Sequence, residues 1–137
     1  MVWMVNILAD EVERIMVHWQ QALLFTKIPS VLRQGDFVFL CVSNRRLYVP
    51  LGFRVESVIV DKPDVVWKDH WQELAMTGTE YAWRTCDVSE VYCVTFDYLL
   101  YRECSWLLSD FGLFRVPREF RLVKKLPAGL EDWGVKK

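Results

Sequence analysis

Apolar positions fall into two periodicities along the chain, and each predicts a kind of element. Val2–Ile7 is a short β-rich run. Val12, Ile15, Met16, Trp19 and Leu23 then recur at helical spacing, which predicts a helix over Asp10–Leu23 with one apolar face, opened by an Asp10-x-x-Glu13 variant of the capping box. Gln34-Gly35-Asp36 is a turn signal ahead of Phe37–Val42, a continuous apolar run that predicts a strand buried on both faces. Asn44-Arg45-Arg46 makes a polar bend. Leu47–Val60 holds two β-type stretches around Pro50 and Gly52, and Phe53, Val55, Ser57 and Ile59 alternate with Arg54, Glu56 and Val58 as in a strand.

Asp61-Lys62-Pro63-Asp64 interrupts this pattern, and Val65–Met76 carries Trp67 and Trp71 four apart, on one side of a short helix or turn. Beyond Thr77-Gly78-Thr79, the β-rich stretches Tyr81–Val88 and Val91–Phe96 predict a bent strand or hairpin over Trp83–Phe96. Tyr98–Leu108 has helical character. Pro117 stands at a favourable first helical position, predicting a last helix Pro117–Leu126 that Pro127 and Gly129 stop. The mixed order of elements predicts an α+β domain with a curled sheet or small barrel, with Val38, Leu40, Val55 and Ile59 buried.

The chain has 137 residues, 53% of them apolar, which suits a single domain spanning residues 1–137 with a real core. Its 17 basic and 18 acidic residues nearly cancel, so any nucleic-acid contact must be a local patch. No apolar run reaches the length of a membrane span and no cleavage site follows Met1–Val5, which predicts a cytoplasmic protein. Cys41, Cys86, Cys93 and Cys104 lack C-x-x-C spacing, and His18 and His70 form no ligand pair with them, so neither zinc nor another cofactor is expected. Reduced thiols packed as small apolar side chains are the default.

What changes the picture is the aromatic content, seven Trp, five Tyr and eight Phe. So many indoles fit a bulky core or a stacking pocket. Trp19 lies on the apolar helix face, where core packing accounts for it. Trp67 and Trp71 flank Lys68-Asp69-His70, so at least one should face solvent. Arg115, Arg118, Arg121, Lys124 and Lys125 gather five cations, and on a helix Arg118, Arg121 and Lys125 would share a face. Such a face is either simply solvated or a phosphate track.

In order, Trp3 in the first strand, Trp19 at the end of the first helix, Gly35-Asp36 before an apolar strand, Arg54-Val55-Glu56-Ser57 before an acidic Pro-containing turn, Tyr81-Ala82-Trp83-Arg84 and Arg115-Val116-Pro117-Arg118-Glu119-Phe120 resemble the EVE family. That family is a branch of the PUA-like fold related to ASCH and YTH domains, and Gly35-Asp36 resembles its archaeal members. The resemblance implies a PUA-like barrel flanked by helices and an aromatic pocket for a base, often a modified one, in RNA or DNA. Here the pocket residues would be Trp19, Ser43, Asn44, Trp67, Trp71 and Trp83, with Arg115, Arg118, Arg121 and Lys125 meeting phosphates. The chain departs from the family after Trp19, where Gln20-Gln21-Ala22-Leu23-Leu24-Phe25 replaces Gly and a basic loop, leaving only Lys27 charged.

No nucleophile elbow, P-loop, H-E-x-x-H or dinucleotide fingerprint is present, so a non-catalytic reader is expected. Two other classes remain. A protein-interaction module would use its exposed aromatics as a flat patch, and an ASCH-like RNA hydrolase would need a base such as Asp69-His70.

Overall fold

The computed structural model describes residues 1–42 and 47–137. The chain runs β1 (Val2–Asn6), α1 (Ala9–His18), β2 (Ala22–Phe25), β3 (Phe37–Val42), β4 (Tyr48–Asp61), α2 (Pro63–His70), α3 (Gly78–Thr85), β5 (Val91–Leu107), a 3-10 turn at Leu108–Phe111, β6 (Arg121–Leu122) and a second 3-10 turn at Leu130–Trp133. The six strands form one sheet in the order β2-β5-β4-β3-β1-β6, and β1 pairs with β3 in parallel while the other pairs are antiparallel. The sheet curls until its two edges approach. Phe25 at the end of β2 meets Phe120 just ahead of β6, ring centroids 4.8 Å apart, and Lys27 Nζ lies 3.0 Å from Glu119 Oε1. The architecture is α+β, a curled half-barrel with three helices among the described residues, as the element order predicts.

Alternation along the strands explains the continuous apolar runs. Val2 and Met4 join Phe37, Phe39 and Cys41 in one cluster, whereas Trp3 and Val5 join Val38 and Leu40 in another. Successive side chains point to opposite faces, so both faces of β1 and β3 are buried. The enclosed face is filled by Leu23, Leu51, Phe53, Val55, Val94 and Phe96 and covered by Ile15 of α1. Two clusters line the outer face. One, around Phe39, Leu100 and Trp106, lies under the segments that follow β5, and the other, around Leu24, Leu74, Tyr81 and Cys93, lies under α2 and α3.

The expected turn before β3 is held by Asp36. Its buried carboxylate accepts the Trp3 indole N–H at 3.2 Å, the Arg33 backbone N–H at 3.2 Å and the Met1 amino group at 3.0 Å. Gly35 adopts φ 91°, which a side chain would strain, and donates to Val55 O at 2.9 Å.

Several expectations are corrected. The first helix stops at His18 rather than Leu23, because Trp19 turns left-handed at φ 57° and Ala22–Phe25 pairs with β5. Its N-cap is Leu8, which makes no side-chain cap bond, so Asp10 sits in the first turn and the capping box is not formed. Tyr81–Thr85, expected as strand, belongs to α3, whose N-cap Thr77 accepts the Glu80 N–H at 3.2 Å. Tyr98–Leu107, expected as helix, is the second half of β5 and pairs with Tyr48–Arg54. Pro117–Leu126 contains only the two-residue β6. Val38, Leu40 and Val55 are buried, whereas Ile59 is half-buried at the rim of the α2–α3 cluster.

Gly52 lets β4 pass against an aromatic ring. A Cβ there would lie 2.5 Å from Phe39 Cδ1, and that ring is held by Phe111 at 4.8 Å and Trp106 at 5.7 Å. Gly52→Ala should therefore destabilise the fold by about 1–3 kcal/mol in urea unfolding, the usual cost of overpacking. Cys41 and Cys93 are buried, which pushes their thiols up to about 11 and about 12, while Cys86 and Cys104 are exposed, and all four are free. Native alkylation should therefore label Cys86 and Cys104 rapidly and reach Cys41 and Cys93 only in denaturant, as peptide mass mapping would show.

Candidate functional site

The left-handed Trp19 reverses the chain at the end of α1 and feeds Gln20 toward the segment that joins α2 to α3. That segment is fastened to β2 by backbone bonds. Gln21 N–H and Ala22 N–H both donate to Glu73 O, at 3.0 and 2.9 Å, and Ala75 N–H donates to Ala22 O at 3.0 Å. A cleft of about 380 Å³ opens between them. Its floor is the buried Leu74 and Met76, its wall Trp67 and Trp71, and its rim includes Arg14, His18, Gln20, Gln72 and Thr77. The two indoles tilt at 39° with centroids 6.4 Å apart, and Trp67 is backed by Tyr81 at 4.7 Å. Gly78 is placed so that a Cβ would touch Trp67 Cζ2 at 3.4 Å. Trp67 is half-buried in this packing, whereas Trp71 is 52% exposed.

Two crossed ion pairs tie α1 to α3. Arg14 grips both oxygens of Glu80, at 2.8 and 2.9 Å, and its Nη1 also reaches Ala75 O at 3.4 Å. Hydrogen bonding to Arg14 lowers the Glu80 carboxyl below its ordinary range and the same bonds raise Arg14, so the guanidinium is neutralised at the cleft rim. In the second pair Arg84 donates to Glu11, a carboxylate only 2% exposed. Burial pushes Glu11 up, and Arg84 opposes that shift.

The expected pocket residues separate into groups. Trp67 and Trp71 come together. Trp19, 74% exposed, lines a neighbouring concavity of about 190 Å³ with Phe96 and Leu99, and Gln20 belongs to both hollows. Trp83 stands 77% exposed on α3 and lines neither. Ser43 and Asn44, with Arg45 and Arg46, lie outside the described residues. Arg115, Arg118, Arg121 and Lys125 are all exposed, but with no helix there the shared face of Arg118, Arg121 and Lys125 does not exist, and Arg121 instead pairs opposite Met4 in β6. Asp69 is exposed while His70 Nδ1 is buried without a hydrogen-bond partner among the described residues, 3.8 Å from Glu73 Oε1, and neither residue lines the cleft.

Sequence reasoning passed over Arg14, Gln20, Gln72 and Thr77. The Thr77-x-x-Glu80 spacing is itself a helix-start signature, and reading it would have placed Glu80 on a helix face.

No family model and no curated protein matches the chain. Among solved structures it superposes on ASCH from Zymomonas mobilis with a TM-score of 0.78 at 10% identity, over 90% of this chain and 88% of that one. Ser-to-Ala and Tyr-to-Phe variants of the same protein give 0.79 at 9% and 0.78 at 10%, covering 90% of this chain and 89% and 91% of theirs. The fold is PUA-like, of the ASCH type. At this identity the likeness is one of backbone architecture, and the EVE resemblance rests on the sequence motifs alone. No helix among the described residues is long and apolar enough to cross a membrane.

The PUA-like domain should show the burial of Glu11 in its pH profile. A carboxyl raised in the folded state holds its proton more tightly there than in the unfolded chain, so stability falls as pH rises through the raised value. Glu11→Gln lacks this penalty. Its unfolding free energy relative to wild type should therefore move in the variant's favour from pH 4.5 to neutrality, measured by urea titration at each pH.

Proposed function

We propose that this chain is a non-catalytic reader of single-stranded nucleic acid that takes one base into the Trp67–Trp71 cleft. The observation that carries this is the combination of an exposed, flat Trp71 ring, an apolar floor of Leu74 and Met76, and a rim of amide side chains in which the one guanidinium is already neutralised. A base needs a face to stack on and a few groups to read its edge. Gln20 and Gln72 each offer a donor and an acceptor, and the volume lies in the ~300–1,000 Å³ range of small-ligand pockets.

Trp19, on the adjoining concavity, offers a second stacking face for the neighbouring nucleotide. The strand is steered by charges beyond the cleft. β2 runs from Ala22, bonded at the cleft, to Phe25, about 10 Å along the strand and packed on Phe120, two residues after the exposed Arg118. A modified base fits the same site, as the EVE resemblance implies. A methyl group against Leu74 or Met76 would add only about 0.8 kcal/mol per buried carbon, so discrimination over the plain base is modest. RNA is the expected ligand, because RNA is read mainly through single-stranded, unstacked bases that stack on aromatic side chains.

Trp71→Ala should weaken binding of a short RNA oligonucleotide by about 1–3 kcal/mol, roughly 5- to 150-fold, while Trp83→Ala leaves it unchanged, in a fluorescence titration at low salt. The oligonucleotide should be recovered intact. Absence of binding by RNA and DNA alike would overturn the proposal, and appearance of cleavage products would replace it with the hydrolase class.

A further inference from the structure

A second hollow lies away from the cleft, over the other outer cluster. Its floor is Phe111 and Leu113, Arg121, Lys124 and Lys125 ring it, and its volume is about 490 Å³. Lys125 also lines an adjoining hollow of about 310 Å³ beside Arg102, Asp110 and Pro127, and the two hollows meet at Lys125 as one open groove whose cationic part is the first. Gly112 turns the chain at φ 75°, and a Cβ there would be in ordinary contact with Lys125 Cβ at 3.4 Å. Lys137 reaches the same segment and donates to Lys124 O at 2.9 Å.

Arg102 has an acidic neighbour, Asp110 at 3.9 Å. Arg121, Lys124 and Lys125 have none among the described residues. In a chain of net charge −1, three adjacent unpaired cations repel one another and focus a positive potential into the groove. The groove is open, and over Phe111 and Leu113 its cations stand on the rim with apolar side chains beneath. That form suits a polymer bearing regularly spaced anions, with sugar or base faces against the floor, better than a small enclosed anion.

We infer that this groove is a second binding surface for nucleic acid, taking the phosphodiester backbone of a single strand at a place separate from the aromatic cleft. It shares the choice of ligand with the proposed function and differs in position and chemistry. The cleft floor belongs to the α2–α3 cluster and the groove floor to the cluster around Phe39 and Trp106. A short strand therefore fills only the cleft, whereas a long strand engages both surfaces.

The test compares a trinucleotide with a strand of about 20 nucleotides over a salt series, in wild type and in the triple variant Arg121→Gln, Lys124→Gln, Lys125→Gln. For the long strand the variant should lower the slope of log affinity against log salt by about 2, at roughly 0.7 for each phosphate that the three cations neutralise in wild type. Trinucleotide affinity should not change. The charge-keeping triple Arg121→Lys, Lys124→Arg, Lys125→Arg should restore the slope, which separates charge from folding damage. An unchanged slope overturns the second surface and leaves the cleft standing on its trinucleotide result. Equal weakening of the trinucleotide also overturns it, by placing these cations at the cleft. If the trinucleotide does not bind but the long strand shows the expected drop in slope, the cleft proposal falls and the groove survives.

Discussion

A sheet with apolar side chains on both faces can leave neither face to water, and the architecture follows from that constraint. β1 and β3 alternate Val2, Met4, Phe37 and Phe39 against Trp3, Val5, Val38 and Leu40, so both sides demand cover. Curling until Phe25 meets Phe120 closes one side on itself. The other side is too long for one cover, and two separate coats divide it, α2 and α3 over the β2 end and the segments after β5 over the far end. Both candidate surfaces lie where a coat meets its neighbours: the Trp67–Trp71 cleft between α1 and α2–α3, and the basic groove between the Leu108–Phe111 turn and β6.

The cleft depends further on how its coat is held. Backbone bonds from Glu73 and Ala75 to the start of β2 set the floor, and the pairs Arg14–Glu80 and Arg84–Glu11 fix α3 against α1. These pairs also decide the electrostatics. Arg14 would offer a cation at the rim, but its bidentate engagement with Glu80 leaves the amides of Gln20 and Gln72 there as uncharged donors and acceptors. In the proposed reading, base recognition and backbone attraction are thus divided between two parts of the molecule, the cleft and the cationic groove.

Much of the sheet was legible because double-sided burial leaves a strong mark. Phe37–Val42 reads as a buried strand from its continuous apolar run, and the Gly35-Asp36 turn reads from its residue types. The misread elements share a cause, in that local pattern was outweighed by tertiary pairing. Trp19 and Leu23 keep helical spacing, yet the chain turns at Trp19, and Leu23 faces the enclosed core from a strand. Tyr98–Leu107 has helical character when read in isolation, yet it pairs along β4. In the site, the Trp67 and Trp71 spacing placed two aromatics on one helix side, and the structure joins them at the cleft wall. Trp83 and the basic residues were placed on the wrong elements, a strand in place of α3 and a helix in place of an extended segment, so the structure sets them apart from the cleft and from a shared helix face.

The most direct measurement of the central claim is the set of seven Trp indole N–H resonances in a 15N-correlated NMR spectrum, assigned by substitution and followed as an RNA trinucleotide is added. Occupation of the cleft should move the Trp71 and Trp67 signals together with the side-chain amides of Gln20 and Gln72, and leave Trp83 and the core indole of Trp106 in place. Binding that moves Trp83 while Trp67 and Trp71 stay fixed would contradict the account.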